Sequence, residues 1–187
     1  MKYILLFALF LITSCDNAKE VFLFLAKYVT KECAAGISGN LFAISESLPN
    51  NYTPTHENKI EMNLERGEYI SRVNDGTYPR YTFINDGAGF GIADWCYYTR
   101  KAALYDKCKG KIADLNCQLQ YLIQEFKTDF VKLFSYLKSS TNLKECSRRV
   151  FTEYFSGGRS EERINQIYEY SLASYNRYKS LVDNEVN

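Results

Sequence analysis

The chain has 187 residues, with 23 basic and 22 acidic side chains and a formal net charge of +1. That balance excludes the broad basic face of a nucleic-acid binder, and the length suits one domain with a sizeable core. The 16 Tyr, 12 Phe and single Trp fit either a tyrosine-rich core or a cleft that stacks on sugar rings.

Lys2 gives the N-terminus a positive start, and an apolar run follows from Tyr3 to Ile12. A spanning helix needs about 20 apolar residues, so this run predicts a secretory signal over residues 1–15 and an exported, extracytoplasmic product. Ile12-Thr13-Ser14-Cys15 also resembles a bacterial lipobox. Cys15 is then either the lipid anchor of a membrane-attached lipoprotein or an incidental cysteine ending an ordinary signal. A domain is expected over residues 19–182.

Residues 19–29 place Val21, Phe22, Leu25 and Val29 on one helix face. Thr30 is suited to cap a second helix over residues 31–46. Gly36 and Gly39 cost that helix propensity, and their usual purpose is close approach by another backbone. Pro49 and Asn50-Asn51 end it. Residues 57–73, with Ile60, Leu64, Ile70 and Val73, predict a third helix. The Gly-, Asp- and Asn-rich stretch 74–95 reads as turns with one short hairpin, where function usually sits. Helices resume over 98–108 and 114–126, then through Phe130, Leu133, Phe134 and Leu137. Cys146, Val150 and Tyr154 share a face of the next helix. Ser156-Gly157-Gly158 breaks the chain, and Ser160 caps a final helix whose first turn carries Glu161 and Glu162. The fold class is mainly α, with a small irregular or β insert.

Beyond the leader lie Cys33, Cys96, Cys108, Cys117 and Cys146, with no C-x-x-C pair, and the single histidine is His56. A metal needs clustered ligands, so no metal and no cofactor are expected. In a secreted chain the cysteines suggest one or two disulfides. Their odd number leaves a free thiol or pairs one of them with Cys15.

Several segments carry a resemblance. Ala34-Ala35-Gly36-Ile37-Ser38-Gly39-Asn40-Leu41-Phe42-Ala43 is followed at a suitable spacing by Pro49-Asn50-Asn51. Asn74-Asp75-Gly76-Thr77-Tyr78 comes next, then Asn85-Asp86-Gly87-Ala88-Gly89-Phe90-Gly91-Ile92-Ala93-Asp94-Trp95. Tyr98-Thr99-Arg100-Lys101-Ala102-Ala103-Leu104 and Asp114-Leu115-Asn116-Cys117-Gln118-Leu119-Gln120-Tyr121-Leu122 complete the series. In this order they resemble the phage tail lysozyme family over most of residues 20–178. The resemblance implies a lysozyme-like helical domain, peptidoglycan as substrate, and hydrolysis of the bond between its amino sugars. It also implies that the family's acid, a Glu after the A-x-G-I-x-G-N-L-x-A pattern, is replaced here by Ile44.

Glycoside cleavage needs a carboxylic acid at the leaving oxygen, often with a second carboxylate. Ile44 cannot transfer a proton. Three carboxylates are candidate catalytic groups. Asp94 replaces a family Gln in the G-x-A-Q-W pattern. Glu46 lies two positions beyond Ile44, about 200° around a helix, and reaches the same side only if the helix ends first. Asp86 matches the family's loop Asp and is otherwise a turn former. Asn40, the Ile44 position, Trp95 and Tyr97 are candidate substrate contacts. For Trp95 the other reading is core packing, and for Asn40 a structural hydrogen bond. Two functions remain open: a cell-wall glycan hydrolase of weak or altered activity, and a non-catalytic peptidoglycan-binding pseudoenzyme.

Overall fold

The computed structural model describes residues 17–53, 65–158 and 160–184. The leader with Cys15, and His56, lie outside the described residues. In chain order the elements are α1 (residues 17–26), α2 (Lys31–Ser45), β1 (Tyr52–Thr53), α3 (Arg66–Asp75), α4 (Arg80–Asn85) and β2 (Gly89–Phe90). Then come α5 (Tyr98–Lys107), α6 (Leu115–Thr128), α7 (Val131–Leu137), α8 (Leu143–Arg149) with a π turn (Val150–Tyr154), and α9 (Glu161–Asn184). The two strands pair antiparallel, Tyr52 opposite Phe90 and Thr53 opposite Gly89. This is a mainly α, lysozyme-like fold with a small β insert. No helix among the described residues is long and apolar enough to cross a membrane.

The chain forms two compact units, one of residues up to Ser47 and from Glu125 on, the other Leu48–Gln124. In the first, Thr30 starts α2 by accepting a bond at Oγ1 from the Cys33 amide at 3.3 Å, as its sequence position predicts. The two glycines of α2 have the expected use. A Cβ on Gly36 would lie 2.9 Å from the Ser147 backbone nitrogen, and one on Gly39 only 2.5 Å from that of Ser171. Helix α2 therefore meets α8 and α9 almost backbone to backbone, which any larger residue would prevent. A disulfide joins Cys33 of α2 to Cys146 of α8. Phe126, Phe130 and Tyr154 form an aromatic cluster with ring centroids 4.9–6.5 Å apart. The Tyr154 hydroxyl donates to the buried Glu125 carboxylate at 2.5 Å. Cys146, Val150 and Tyr154 are all buried, although the last two belong to a π turn rather than to α8. Ser160 caps α9 through a 3.4 Å bond from the Arg163 amide.

In the second unit the core is aromatic. Tyr69 stacks on Tyr52 at 4.4 Å and touches Tyr78, Phe83 and Phe90. Two expectations are corrected here. Helix α3 turns Tyr69 and Val73 inward, leaving Ile70 only half-buried; Ile60 and Leu64 lie outside the described residues. The stretch 74–95, expected to hold turns and one short hairpin, also contains α4, six residues long after Pro79. So short a helix shows too little of a 3.6-residue period to stand out.

Candidate functional site

The β insert is a tight hairpin. Phe90 and Trp95 exchange both backbone bonds, at 3.1 and 2.9 Å, and the Asp94 amide donates to the Gly91 carbonyl at 3.1 Å. Gly91 and Asp94 both hold positive φ, 75° and 50°, the first free for glycine and the second tolerated by Asp. Gln118 of α6, fully buried, fastens the loop. Its Oε1 accepts from the Ile92 amide at 2.9 Å, and its Nε2 donates to the carbonyls of Pro49 and Ile112 at 2.7 and 2.6 Å. A Cβ on Gly91 would stand 2.6 Å from that Oε1, so the glycine serves both the turn and the clamp.

This scaffold presents Asp94. Its carboxylate lies over Gly89, where a Cβ would come within 2.7 Å of Oδ2. Oδ1 accepts from Asn51 Nδ2 at 3.3 Å, and the same Nδ2 lies 3.4 Å from Thr53 Oγ1. Burial pushes the carboxyl above the usual aspartate range, while Thr53 and the Lys101 charge pull the other way. A carboxyl that retains its proton beyond the usual range is what a general acid requires.

Asp86 has a different task. Its Oδ2 accepts from the hydroxyls of Tyr69 at 2.8 Å and Tyr78 at 3.4 Å; its Oδ1 accepts from the Ala88 amide at 2.9 Å and Lys101 Nζ at 2.5 Å. Four donors occupy the roughly four acceptor positions of a carboxylate. Asp86 is thus the buried centre of a polar network. Lys101 is fully buried as well, its ammonium 4.2 Å from the Phe83 ring. Burial lowers its pKa, and Asp86 opposes that. Burial, then Asp86, raises the pKa of Tyr69.

The remaining candidates separate cleanly. Trp95 is fully buried with its ring 5.2 Å from that of Tyr121, so it packs the core and shows no face to a sugar. Tyr97, capping α5, is 69% exposed and is the aromatic side chain free to stack. Asn40, Ile44 and Glu46 belong to the first unit. Asn40 is fully buried and donates from Nδ2 to the carbonyls of Gly36 at 2.8 Å and Ser147 at 3.0 Å; it holds α2 to α8 and is corrected as a substrate contact. Ile44 is half-buried in the last turn of α2. Helix α2 stops at Ser45, and Glu46 follows with φ 53° as an exposed cap, the position of a solvated carboxylate.

Comparison with known families decides the relationship. Phage tail lysozyme is the family that matches, over residues 16–178. The chain belongs to the phage tail lysozyme family. Comparisons with curated proteins and with solved structures gave no match. Phage tail lysozymes are lysozyme-like cell-wall hydrolases acting on peptidoglycan. Among the described residues of this member, no group of three or more His, Cys, Asp or Glu could hold a metal.

Within this phage tail lysozyme chain, Asn51 and Thr53 are the site residues that sequence reasoning missed. Asn51 stood in the Pro49-Asn50-Asn51 segment with no role beyond ending a helix, and Thr53 stood in no motif. Their approach to Asp94 is made by the antiparallel pairing of β1 with β2, which no local spacing encodes. Lys101 and Gln118 did stand inside the matched motifs, but nothing there marked them as buried.

Proposed function

We propose that this chain is an exported, peptidoglycan-directed member of the phage tail lysozyme family whose glycan hydrolysis is weak or altered and depends on Asp94. One observation carries the reading: of the three candidate carboxylates, Asp94 alone is both half-buried with raised proton affinity and not saturated by structural donors. Glu46 sits in water and Asp86 is consumed by its network. Export is supported by the signal-like N-terminus and by the disulfides Cys33–Cys146 and Cys108–Cys117, since such bonds persist in oxidising compartments. The lipobox-like segment at Cys15 would add a membrane anchor.

The second reading, a non-catalytic glycan-binding protein, is favoured by Ile44 at the family's acid position and by the exposed Tyr97. Clearing of purified cell walls separates the two. Asp94→Asn keeps size and hydrogen bonding but cannot cycle a proton; it should lower lysis by at least about tenfold, a modest share of a general acid's effect, while co-sedimentation with walls persists. Glu46→Gln should change little. Ile44→Glu should raise lysis by at least about tenfold. Undiminished lysis by folded Asp94→Asn would remove Asp94 from the mechanism. Parent protein that sediments with walls yet releases no sugar ends would establish the binding module.

A further inference from the structure

The strand before the hairpin does more than complete a two-stranded sheet. Asn51 and Thr53 flank Tyr52, so strand alternation sends their side chains to the face opposite that of Tyr52. Tyr52 turns inward onto Tyr69. The Asn51 side-chain nitrogen lies 3.4 Å from Thr53 Oγ1 and 3.3 Å from Asp94 Oδ1, so one amide links the threonine hydroxyl to the carboxylate. Register adds a third element. Thr53 pairs with Gly89, and Gly89 is the residue whose missing Cβ leaves room for the Asp94 carboxylate. The Asn51 carbonyl accepts the Gly91 amide at 2.9 Å, so the backbone that carries Asn51 also holds the hairpin loop. An amide, the hydroxyl it bonds and a glycine thus converge on one carboxylate held at positive φ.

We infer that Asn51, bonded to Asp94 Oδ1, and Thr53, which accepts from the same amide, are positioning residues that orient the Asp94 carboxylate. The inference rests on the proposed role of Asp94 only for its consequence in catalysis; the geometric claim stands apart from it. Among the described residues, the charged group that acts on Asp94 from a neighbouring element is Lys101 of α5, which stays in place in every variant below. Thr53→Val removes the hydroxyl and keeps the β-branched shape. Asn51→Asp replaces the amide donor with a like charge at nearly the same volume. Both changes disfavour the ionised carboxylate. Thr53→Ser retains the hydroxyl.

The test is a carboxyl-detected NMR titration of Asp94 in the full-length folded protein, read beside the pH dependence of wall clearing. We expect the Asp94 midpoint to move to higher pH in Thr53→Val and further in Asn51→Asp, and to stay in place in Thr53→Ser. The pH limb of lysis should move with it. A midpoint unchanged in both Thr53→Val and Asn51→Asp overturns the inference. A midpoint that moves while the lysis limb stays fixed upholds the positioning role and instead overturns the catalytic reading of Asp94.

Discussion

Asp94 sets stability against chemistry within one side chain. Folding raises its pKa, chiefly by burial, so the folded chain prefers the protonated form. The stability it supports is complete below the ordinary carboxylate range and is lost as pH rises through the folded-state value. Asn carries no charge at any pH and tolerates positive φ. Thermal unfolding of Asp94→Asn should therefore gain on the parent as pH rises from about 3, below the ordinary aspartate pKa, to about 7. A difference that is flat across that range would mean that ionised Asp94 carries no folding penalty. A half-buried carboxylate whose ionisation opposes folding at neutral pH is the pattern expected where function rather than stability selects a residue.

At the scale of elements, helix α2 shows which sequence signals survive folding. Thr30, Gly36 and Gly39 were readable because each acts through its immediate backbone: a cap, and the absence of a Cβ. The same holds for Ser160 and α9. Helix α4 was not readable, because six residues give no period, and neither was the π turn at Val150–Tyr154, which keeps the buried face of a helix while changing its hydrogen bonds. At the site, Asp94 was singled out by its motif position, in place of a family Gln. The burial of Trp95 and Asn40, and the donors around Asp86, were not, since each depends on partners distant in sequence. The glycine argument makes a prediction with opposite signs at two helices. At Gly39, alanine would gain up to about 1 kcal/mol of helix propensity but drive a Cβ into backbone atoms of Ser171, and overpacking costs about 1–3 kcal/mol. Gly39→Ala should lower stability in urea unfolding. Gly67 of α3 has open space, so Gly67→Ala should raise it by about 0.4–1 kcal/mol. Equal responses would show that α2 can shift away from α9.

Across the whole molecule, the two disulfides differ in reach. Cys33–Cys146 closes a loop with a separation of 113 residues, and Cys108–Cys117 one of only 9. On the chain-entropy account, the longer loop contributes about 2 kcal/mol more stability, through the logarithm of loop length. Paired Cys→Ser variants compared by thermal unfolding should lose more at Cys33/Cys146 than at Cys108/Cys117; the reverse order would place the effect in the native state. Cys96 is exposed and unpaired among the described cysteines. The long disulfide has a topological consequence as well. Leu48–Gln124, the entire second compact unit, lies between its two half-cystines. A protease that nicks the chain once anywhere in that interval leaves both fragments covalently joined, and only a reductant releases them. Under non-reducing conditions, a clipped molecule would still travel as one particle.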